Sequence, residues 1–290
     1  MHGGRDSRLA ILTPDLDAQV AAALREDVGS GDVTAALVPE DQHVEARVIT
    51  REDAVLCGTA WFDAVFRALD RDIRVTWSAA DGERIAQGAG LCRVEGRARP
   101  ILTGERTALN FLQTLSGTAT AARRYVDAVE GTGCTILDTR KTLPGLRLAQ
   151  KYAVRCGGAQ NHRLGLHDRV LIKENHIAAA GSITAAIAAG RRLSPGVPVE
   201  VEVETLGELG EALTALPDVI MLDEFSHADL RAAVARNRAL GQPVKLEASG
   251  SVSLETIRAI AETGVDYISV GAITKHLHAL DLSMRVTVTS

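Results

Sequence analysis

VEVEVE (residues 199–204), VIMLDE (residues 219–224) and VKLEASG (residues 244–250) are apolar runs of strand length, and each ends in an acid or a glycine. Alanine- and leucine-rich stretches with helical spacing separate them. This is typical of strands that are buried on both faces and alternate with amphipathic helices. The stretch therefore predicts an α/β fold built around a parallel barrel. Similar runs occur on both sides, in TILDTRK (residues 135–141), VLIKENH (residues 170–176) and YISVGA (residues 267–272).

The ends of these runs carry the residues that we expect to form a site. In a parallel α/β barrel every strand points its C-terminal end to the same mouth, where the following loops build the active site. Several cations, two acids and two small-residue loops suit an anionic, phosphorylated substrate accompanied by a metal ion. The strand-end residues are Arg140, Lys141, Lys173, Glu202, Asp223, Ser249 and Gly271.

Bulk composition limits the possible classes of function. The chain has 290 residues, enough for one barrel and a smaller domain, and its 46% hydrophobic and 3% aromatic residues indicate an aliphatic core. A net charge of −5 argues against nucleic acid as a partner. No apolar run reaches the length of a membrane span, about 18 residues, and no signal peptide is evident. We therefore expect a cytoplasmic protein that binds no membrane and whose four cysteines are free thiols.

The first half of the chain lacks the strand–helix rhythm and predicts a separate layer of helices and strands. The period-two run HVEARVI (residues 43–49) indicates a strand with one polar face. Residues 102–129 predict two helices interrupted at Ser116–Gly117, and residues 280–288 predict a strand that returns to the first sheet. The predicted division is an N-terminal domain at 1–108, joined by the C-terminal strand 277–290, and a barrel at 109–276.

The stretch DTRKTLPGLRLAQKYAVRCGGAQNHR (residues 138–163) concentrates basic residues near two predicted strand ends. Arginine binds a carboxylate through two parallel hydrogen bonds because its planar fork matches the two oxygens. Arg140 and Arg163, together with His162, therefore predict a pocket for the two carboxylates of one small molecule. The alternative is that Arg140 and Lys141 only cap a strand and point into solvent.

The glutamates of VEVEVE alternate with valines, so Glu200, Glu202 and Glu204 point to one face of the strand, which in a barrel is the interior. Unpaired charge is costly there, so some of these acids must pair with Lys173, with Arg140 or with a metal ion. We interpret Glu200 as half of a buried structural ion pair. Glu202 and Asp223, at neighbouring strand ends, would instead bind Mg²⁺ or ribose hydroxyls.

Small residues follow the last two predicted strands, in ASGS (residues 248–251) and VGA (residues 270–272). Glycines expose backbone N–H groups that can cradle a phosphate. The loops after the final strands are also the usual phosphate site of this class of barrel. One such loop alone is a weak signal, whereas two at neighbouring strand ends favour a phosphate site.

Together these motifs resemble the quinolinate phosphoribosyltransferase family. The matching segments run from Glu26 to Thr274, and DTRKT, KYAV and NHR within residues 138–163 are the most specific. The resemblance implies decarboxylating phosphoribosyl transfer from phosphoribosyl pyrophosphate to quinolinate in NAD biosynthesis, with Mg²⁺ as cofactor. It also implies an open or incomplete α/β barrel with an N-terminal α/β sandwich domain, assembled as a homodimer. The other matching segments are EDVGSGDVT, LTGERTALNFLQTLSGTAT, LIKENHI, VEVE, MLDEF, LEASGSV and ISVGAIT.

The resemblance also implies roles for individual residues. Arg106, in GERTALN, would enter the site from the neighbouring subunit, and Lys173 would lie between the two substrates. Glu202 and Asp223 would bind the ribose hydroxyls and Mg²⁺. The implied quinolinate-binding residues are Thr139, Arg140, Lys141, His162 and Arg163. The implied catalytic residues are Lys141, Lys173, Glu202 and Asp223. The implied 5′-phosphate loops comprise Ser249, Gly250, Ser251, Val270, Gly271 and Ala272.

One position departs from the family pattern, because Glu224 stands where the family usually has Asn after the aspartate of MLD. The additional acid would either strengthen Mg²⁺ binding or repel pyrophosphate. Two alternatives stay open for the function. One is a paralogous transferase of molybdate-uptake operons, against which the pair of Arg140 and Arg163 argues. The other is a sugar-phosphate-binding or aldolase-type barrel with Lys173 as a Schiff-base lysine, which would need an apolar pocket rather than neighbouring acids.

Overall fold

The computed structural model describes residues 15–288, which form two compact units that are not contiguous in sequence. The first unit combines residues 15–123, 142–158 and 276–288, and the second combines residues 124–141 and 159–275. The predicted domain division after residue 108 stays a prediction. The start of the chain, where we predict no signal peptide, lies outside the described residues.

A four-stranded antiparallel sheet lies at the centre of the first unit. Its strands are β1 (His43–Thr50), β3 (Arg74–Trp77), β5 (Gly90–Arg97) and β12 (Leu282–Val288), in the order β12-β1-β5-β3. Every second residue of β1 is buried, as the period-two pattern predicts. The C-terminal segment therefore returns to the first sheet through β12.

Helices cover this sheet and contribute the aromatic part of the core. Helix α2 (Thr59–Leu69) buries Trp61, Phe62 and Phe66, and the Phe62 ring lies 5.2 Å from Trp77 in an edge-on contact. Such edge-on pairs are a favoured arrangement of aromatic rings. The remaining elements of the unit are helices α1 (Leu16–Val28) and α4 (Arg147–Cys156), a 3₁₀ turn (Ala35–Leu37), and the paired short strands β2 (Ala54–Val55) and β4 (Arg84–Ile85).

Helix α3 (Ala98–Ala128) is continuous over 31 residues, so the predicted break at Ser116–Gly117 is wrong. Gly117 provides close packing, since a Cβ at this position would collide with the carbonyl oxygen of His278. Ser116 is buried, and its hydroxyl donates to the Cys57 carbonyl oxygen and accepts from the Cys57 N–H. Tertiary contacts, rather than a break in the helix, therefore explain why small residues stand at positions 116 and 117.

The second unit contains a six-stranded parallel sheet with helices between most of its strands, and the predicted α/β class is confirmed. The strand order β6-β11-β10-β9-β8-β7 leaves the sheet open between β6 and β7. The strands are β6 (Thr135–Leu137), β7 (Val170–Ile172), β8 (Val199–Val203), β9 (Val219–Asp223), β10 (Lys245–Ser249) and β11 (Tyr267–Ser269). The helices are α5 (Glu174–Ala180), α6 (Ile183–Leu193), α7 (Leu206–Ala215), α8 (His227–Ala239), α9 (Ile257–Ala261) and α10 (Ala272–Lys275).

The register of this sheet places its acidic residues on one face. Glu202 and Glu247 both lie opposite Met221, and Ser249 lies opposite Asp223. Residues paired across parallel strands point to the same side, and the side-chain period of a strand is two. Glu202, Asp223, Glu247 and Ser249 therefore share this face, and Glu200 shares it as well. In the described part of the chain, no helix is long and apolar enough to cross a membrane.

Candidate active site

The carboxyl ends of β7, β8 and β9 bring three predicted site residues to the same edge of the sheet. Lys173 directly follows β7, and its Nζ lies 2.5 Å from Oε2 of Glu202 on β8. The Glu202 side chain is 9% exposed and that of Lys173 is 43% exposed, so the pair lies at the boundary between interior and solvent. Asp223, the last residue of β9, is half-buried. The expectation that Lys173 pairs with a strand-end acid is confirmed for Glu202.

The segment after β6 carries Thr139, Arg140 and Lys141. The Thr139 hydroxyl oxygen accepts a hydrogen bond from the Lys141 N–H at 3.1 Å, and the Thr274 hydroxyl donates to the Lys141 carbonyl oxygen at 2.8 Å. A Cβ added at Gly271 would lie 3.0 Å from Cδ of Lys141, so the missing side chain makes room for this lysine. The segment after β6 therefore lies directly beside the small-residue loop after β11.

Asp138 fixes the segment that leads to His162 and Arg163. Its buried carboxylate accepts hydrogen bonds from the Asn161 side-chain amide and from the His162 N–H, both at 2.8 Å. Hydrogen bonds to an ionised carboxylate are stronger than neutral ones. The adjacent residue Gln160 also forms a parallel bridge with Leu137 of β6. Asp138 therefore holds together the two segments that carry Arg140 and Arg163. The sequence did not single out this acid.

Arg140 and Arg163 form the cationic part of the site. Burial of the Arg163 guanidinium, together with the charge of Arg140, lowers the pKa of Arg163. Like charges are unfavourable in partly desolvated surroundings unless an anion neutralises them. Among the described residues, Nε of Arg140 is buried without a hydrogen-bond partner. This arrangement suits an anionic ligand, and it weighs against the alternative that Arg140 only caps a strand in solvent.

His162 is buried, and both of its ring nitrogens face protein groups. Nδ1 accepts the Arg163 N–H at 2.7 Å, and Nε2 lies 2.9 Å from Oε2 of Glu200. Arg169 donates to the same Glu200 oxygen at 2.9 Å. Burial alone would raise the pKa of Glu200, but the hydrogen bonds and charges of His162 and Arg169 bring it below its usual value. The interpretation of Glu200 as a buried ion-pair partner is confirmed. A direct contact of His162 with a substrate stays a prediction.

The small-residue loop after β10 has an unusual backbone. Gly250 has φ +101°, Ser251 has φ +36° and Glu224 has φ +52°. The Ser251 hydroxyl donates to Oε1 of Glu224 at 3.0 Å, and a Cβ on Gly250 would collide with the Glu224 carboxylate. Positive φ in residues other than glycine is uncommon and often marks functional sites. Glu224 itself follows β9, but its carboxylate thus packs against the predicted phosphate loop after β10.

The carboxylates near the strand ends fit Mg²⁺ only when a bound substrate supplies further ligands to the ion. Among the described residues, the clusters of three potential metal ligands comprise His162, Glu200 and Glu247 in the second unit and three residues of the first unit, so none includes Glu202 or Asp223. Mg²⁺ is commonly held by one or two carboxylates together with substrate phosphates and waters. Two carboxylates on one face of the sheet fit that mode of binding.

Two further residues contribute to the site region but were not predicted from the sequence. Glu247 is fully buried on the same face as Glu202, and Arg169 binds Glu200. The alternation in VKLEASG places Glu247 two residues before the predicted phosphate residue Ser249, and this signal would have identified it. The predicted Arg106 is exposed on α3 in the first unit.

The second unit is an open parallel α/β unit with arginines, a lysine–carboxylate pair and glycine loops at the carboxyl ends of its strands. These features define an enzyme acting on small phosphorylated anions. The comparisons with known proteins specify this class. Residues 118–285 match the C-terminal domain of quinolinate phosphoribosyl transferase, and residues 32–116 match its N-terminal domain. The chain belongs to the quinolinate phosphoribosyltransferase family.

Individual relatives extend over nearly the whole chain. A nicotinate-nucleotide pyrophosphorylase [carboxylating] of Mycobacterium leprae is 44% identical and covers 91% of this chain and 95% of its own length. A probable enzyme of the same name from Bacillus subtilis is 40% identical, with 91% of each chain covered. The solved structure of the nicotinate-nucleotide pyrophosphorylase from Francisella tularensis has a TM-score of 0.91, at 46% identity and 98% coverage of both chains. These relatives favour the transferase over the two alternative classes.

Proposed function

We propose that this chain transfers the phosphoribosyl group of phosphoribosyl pyrophosphate to quinolinate and releases CO₂ and pyrophosphate, yielding nicotinate mononucleotide. The observation that carries this proposal is the pair of Arg140 and Arg163, because its partly buried cations lie close together and Nε of Arg140 has no hydrogen-bond partner among the described residues. Quinolinate has two adjacent carboxylates, and each suits one arginine fork. Thr139 and Lys141 complete the proposed binding set, and His162 would contribute by supporting Arg163.

The proposed reaction begins with attack of the quinolinate ring nitrogen on C1 of the phosphoribosyl group as pyrophosphate leaves. Positive charge then develops on the ribose, and the Glu202 and Asp223 carboxylates are placed to stabilise it. Lys173 would hold Glu202 in position through their ion pair while its charge faces the anionic substrates. Mg²⁺, held by Glu202 and Asp223 together with the pyrophosphate, would neutralise the negative charge of the leaving pyrophosphate.

Decarboxylation follows from the charge on the ring nitrogen. Once this nitrogen carries the ribose it is cationic, so the electron pair released when the 2-carboxylate leaves as CO₂ is stabilised as an ylide. A proton added at C2 then gives nicotinate mononucleotide. The role of the protein is to hold both substrates in line and to exclude water. No nucleophilic side chain is required.

The proposed phosphate site uses the two loops after β10 and β11. Support comes from the positive φ values of Gly250 and Ser251 and from the space that Gly271 leaves beside Lys141. Backbone N–H groups in such conformations form concave sites for anions. We assign the 5′-phosphate to these loops, whose members are Ser249, Gly250, Ser251, Val270, Gly271 and Ala272.

We also propose that the active unit is a homodimer in which Arg106 enters the site of its partner. Support comes from the exposed position of Arg106 on α3 and from two large apolar side chains of the same unit, Val33 at 86% and Leu37 at 82% exposure. Large contiguous apolar patches mark surfaces that a partner covers, and we propose that these two side chains belong to such a patch.

One assay tests the proposed reaction. The purified protein is incubated with quinolinate, phosphoribosyl pyrophosphate and Mg²⁺, and release of CO₂ is measured alongside formation of nicotinate mononucleotide. Both products should form in equal amounts and only when both substrates are present. Formation of neither product, with a protein shown to be folded, would contradict the proposal.

A further inference from the structure

A buried cluster of ionisable groups lies on the interior face of the parallel sheet. Glu200 and Glu247 are fully buried and His162 is 7% exposed. Nε2 of His162 lies 2.9 Å from Glu200 and 3.7 Å from Oε2 of Glu247, and Arg169 donates to Glu200 at 2.9 Å. Two ionised carboxylates at this depth would be costly to bury, even though Arg169 donates to one of them.

The distribution of hydrogen bonds within this cluster is unequal. Oε2 of Glu200 accepts from Arg169, whereas Oε1 of Glu200 and both carboxyl oxygens of Glu247 are buried without a hydrogen-bond partner among the described residues. One carboxyl oxygen of each glutamate and one ring nitrogen of His162 all lie within 4.8 Å of one another. A single proton on Glu247 would provide a donor for Glu200 and would leave one negative charge to balance Arg169.

His162 connects this cluster to the substrate site. Its Nδ1 accepts the Arg163 N–H at 2.7 Å, and its Nε2 lies 2.9 Å from Oε2 of Glu200. Because both ring nitrogens are occupied by protein groups, the imidazole acts on a substrate through Arg163. Glu200 therefore fixes the orientation of the ring, and the ring fixes the backbone from which the Arg163 side chain extends.

We propose that Glu247 is a neutral carboxylic acid that donates its proton to Glu200, and that Glu200 in turn holds His162 so that Arg163 is positioned for a carboxylate of quinolinate. This inference rests on the proposed function and adds two positioning residues to it. Burial and the neighbouring Glu200 charge raise the pKa of Glu247, which agrees with the neutral form. The other charged groups that face the cluster are Arg163 and Arg169.

Substitutions of similar shape at Glu200 and Glu247 test the proposal because it predicts different outcomes for the individual variants. Glu247→Gln keeps an N–H donor towards Glu200 and should retain at least about a third of the wild-type kcat/KM for quinolinate. Glu247→Met removes the donor, and Glu200→Gln removes the negative charge that pairs with Arg169, so both should raise the KM for quinolinate at least about 10-fold, the scale of one lost buried hydrogen bond. The KM for phosphoribosyl pyrophosphate should change less than about twofold, because the positioned group is Arg163.

The controls separate this proposal from the proposed function. Glu262→Gln, an exposed substitution in the second unit, should leave both KM values unchanged. A wild-type protein without transferase activity would contradict the proposed function itself. An active wild-type protein whose Glu200→Gln variant keeps its quinolinate KM would overturn the positioning role alone. If Glu200→Gln does not fold, the contrast between Glu247→Gln and Glu247→Met decides, and equal values for these two variants would overturn the donor role of Glu247.

Discussion

The Ser251 hydroxyl donates a hydrogen bond to Oε1 of Glu224 at 3.0 Å, so a carboxylate packs against the loop that we propose for the 5′-phosphate. Glu224 also has φ +52°, a left-handed conformation that costs most residues free energy and that asparagine tolerates better. The Asn that the family resemblance implies at this position would suit this backbone conformation better than Glu. The glutamate of this chain should therefore be unfavourable for both stability and phosphate binding.

Glu224→Asn should improve the protein in two measurable ways. Removal of the charge should lower the KM for phosphoribosyl pyrophosphate roughly fivefold, which corresponds to about 1 kcal/mol for one close repulsion. Relief of the left-handed strain should raise the free energy of unfolding by about 1 kcal/mol. Glu224→Gln serves as the matched control, because it removes the charge but not the strain and should lower the KM alone. A higher KM in both variants would instead indicate that Glu224 helps to bind Mg²⁺.

Arg163→Ala should lower kcat/KM for quinolinate by at least about 2 kcal/mol of transition-state stabilisation, which is roughly 30-fold. The physical reason is that a substrate carboxylate would lose its charged partner in a partly desolvated site. Steady-state kinetics with each substrate varied in turn measure the effect. Arg231→Ala, at an exposed arginine of α8, should behave as wild type. A near-normal specificity constant for the Arg163 variant would remove this residue from the site.

The sequence predicts the parallel sheet well and the first unit less completely, for physical reasons. Strands buried on both faces are continuous apolar runs, so β8, β9 and β10 are evident from the sequence and fall where predicted. The break predicted in α3 is wrong because small residues signal either a turn or close packing, and only the contact of Gly117 with a distant carbonyl distinguishes them.

Within the site, the residues at strand ends are predictable and the residues that support them are not. Lys173 and Glu202 follow from the rule that parallel strands end at one edge, and they pair as expected. Asp138 contributes through hydrogen bonds with residues 161 and 162, which lie far from it in the sequence. Such contacts depend on the folded geometry, so a single sequence carries little signal for them.

Activity should require Mg²⁺ or Mn²⁺, and Glu202→Ala and Asp223→Ala should each raise the KM for phosphoribosyl pyrophosphate. The reason is that two carboxylates at neighbouring strand ends face a polyanionic substrate whose charge a divalent ion must neutralise. Glu204→Ala is the matched control, because Glu204 follows the same strand and is exposed. Turnover at the full rate in excess chelator would refute the metal requirement.

Subunit mixing should reveal whether sites are shared between protomers. Arg106→Ala and Lys141→Ala chains should each be inactive alone. If Arg106 acts in the partner's site, a hybrid dimer contains one site with both lesions and one site with neither, so activity should reappear after mixing. Arg106→Ala chains mixed with themselves provide the baseline. No recovery after demonstrated subunit exchange would mean that each chain completes its own site.

The preference for quinolinate over nicotinate tests the central claim most directly. The site is proposed to bind two carboxylates through Arg140 and Arg163, and nicotinate lacks one of them, which would leave a partly buried cation without its substrate partner. Sites built to bind a polar group reject analogues that lack it by factors on the order of 10⁴. We therefore predict that the wild-type kcat/KM for quinolinate exceeds that for nicotinate on the order of 10⁴-fold. Equal specificity constants for the two acids would contradict the account.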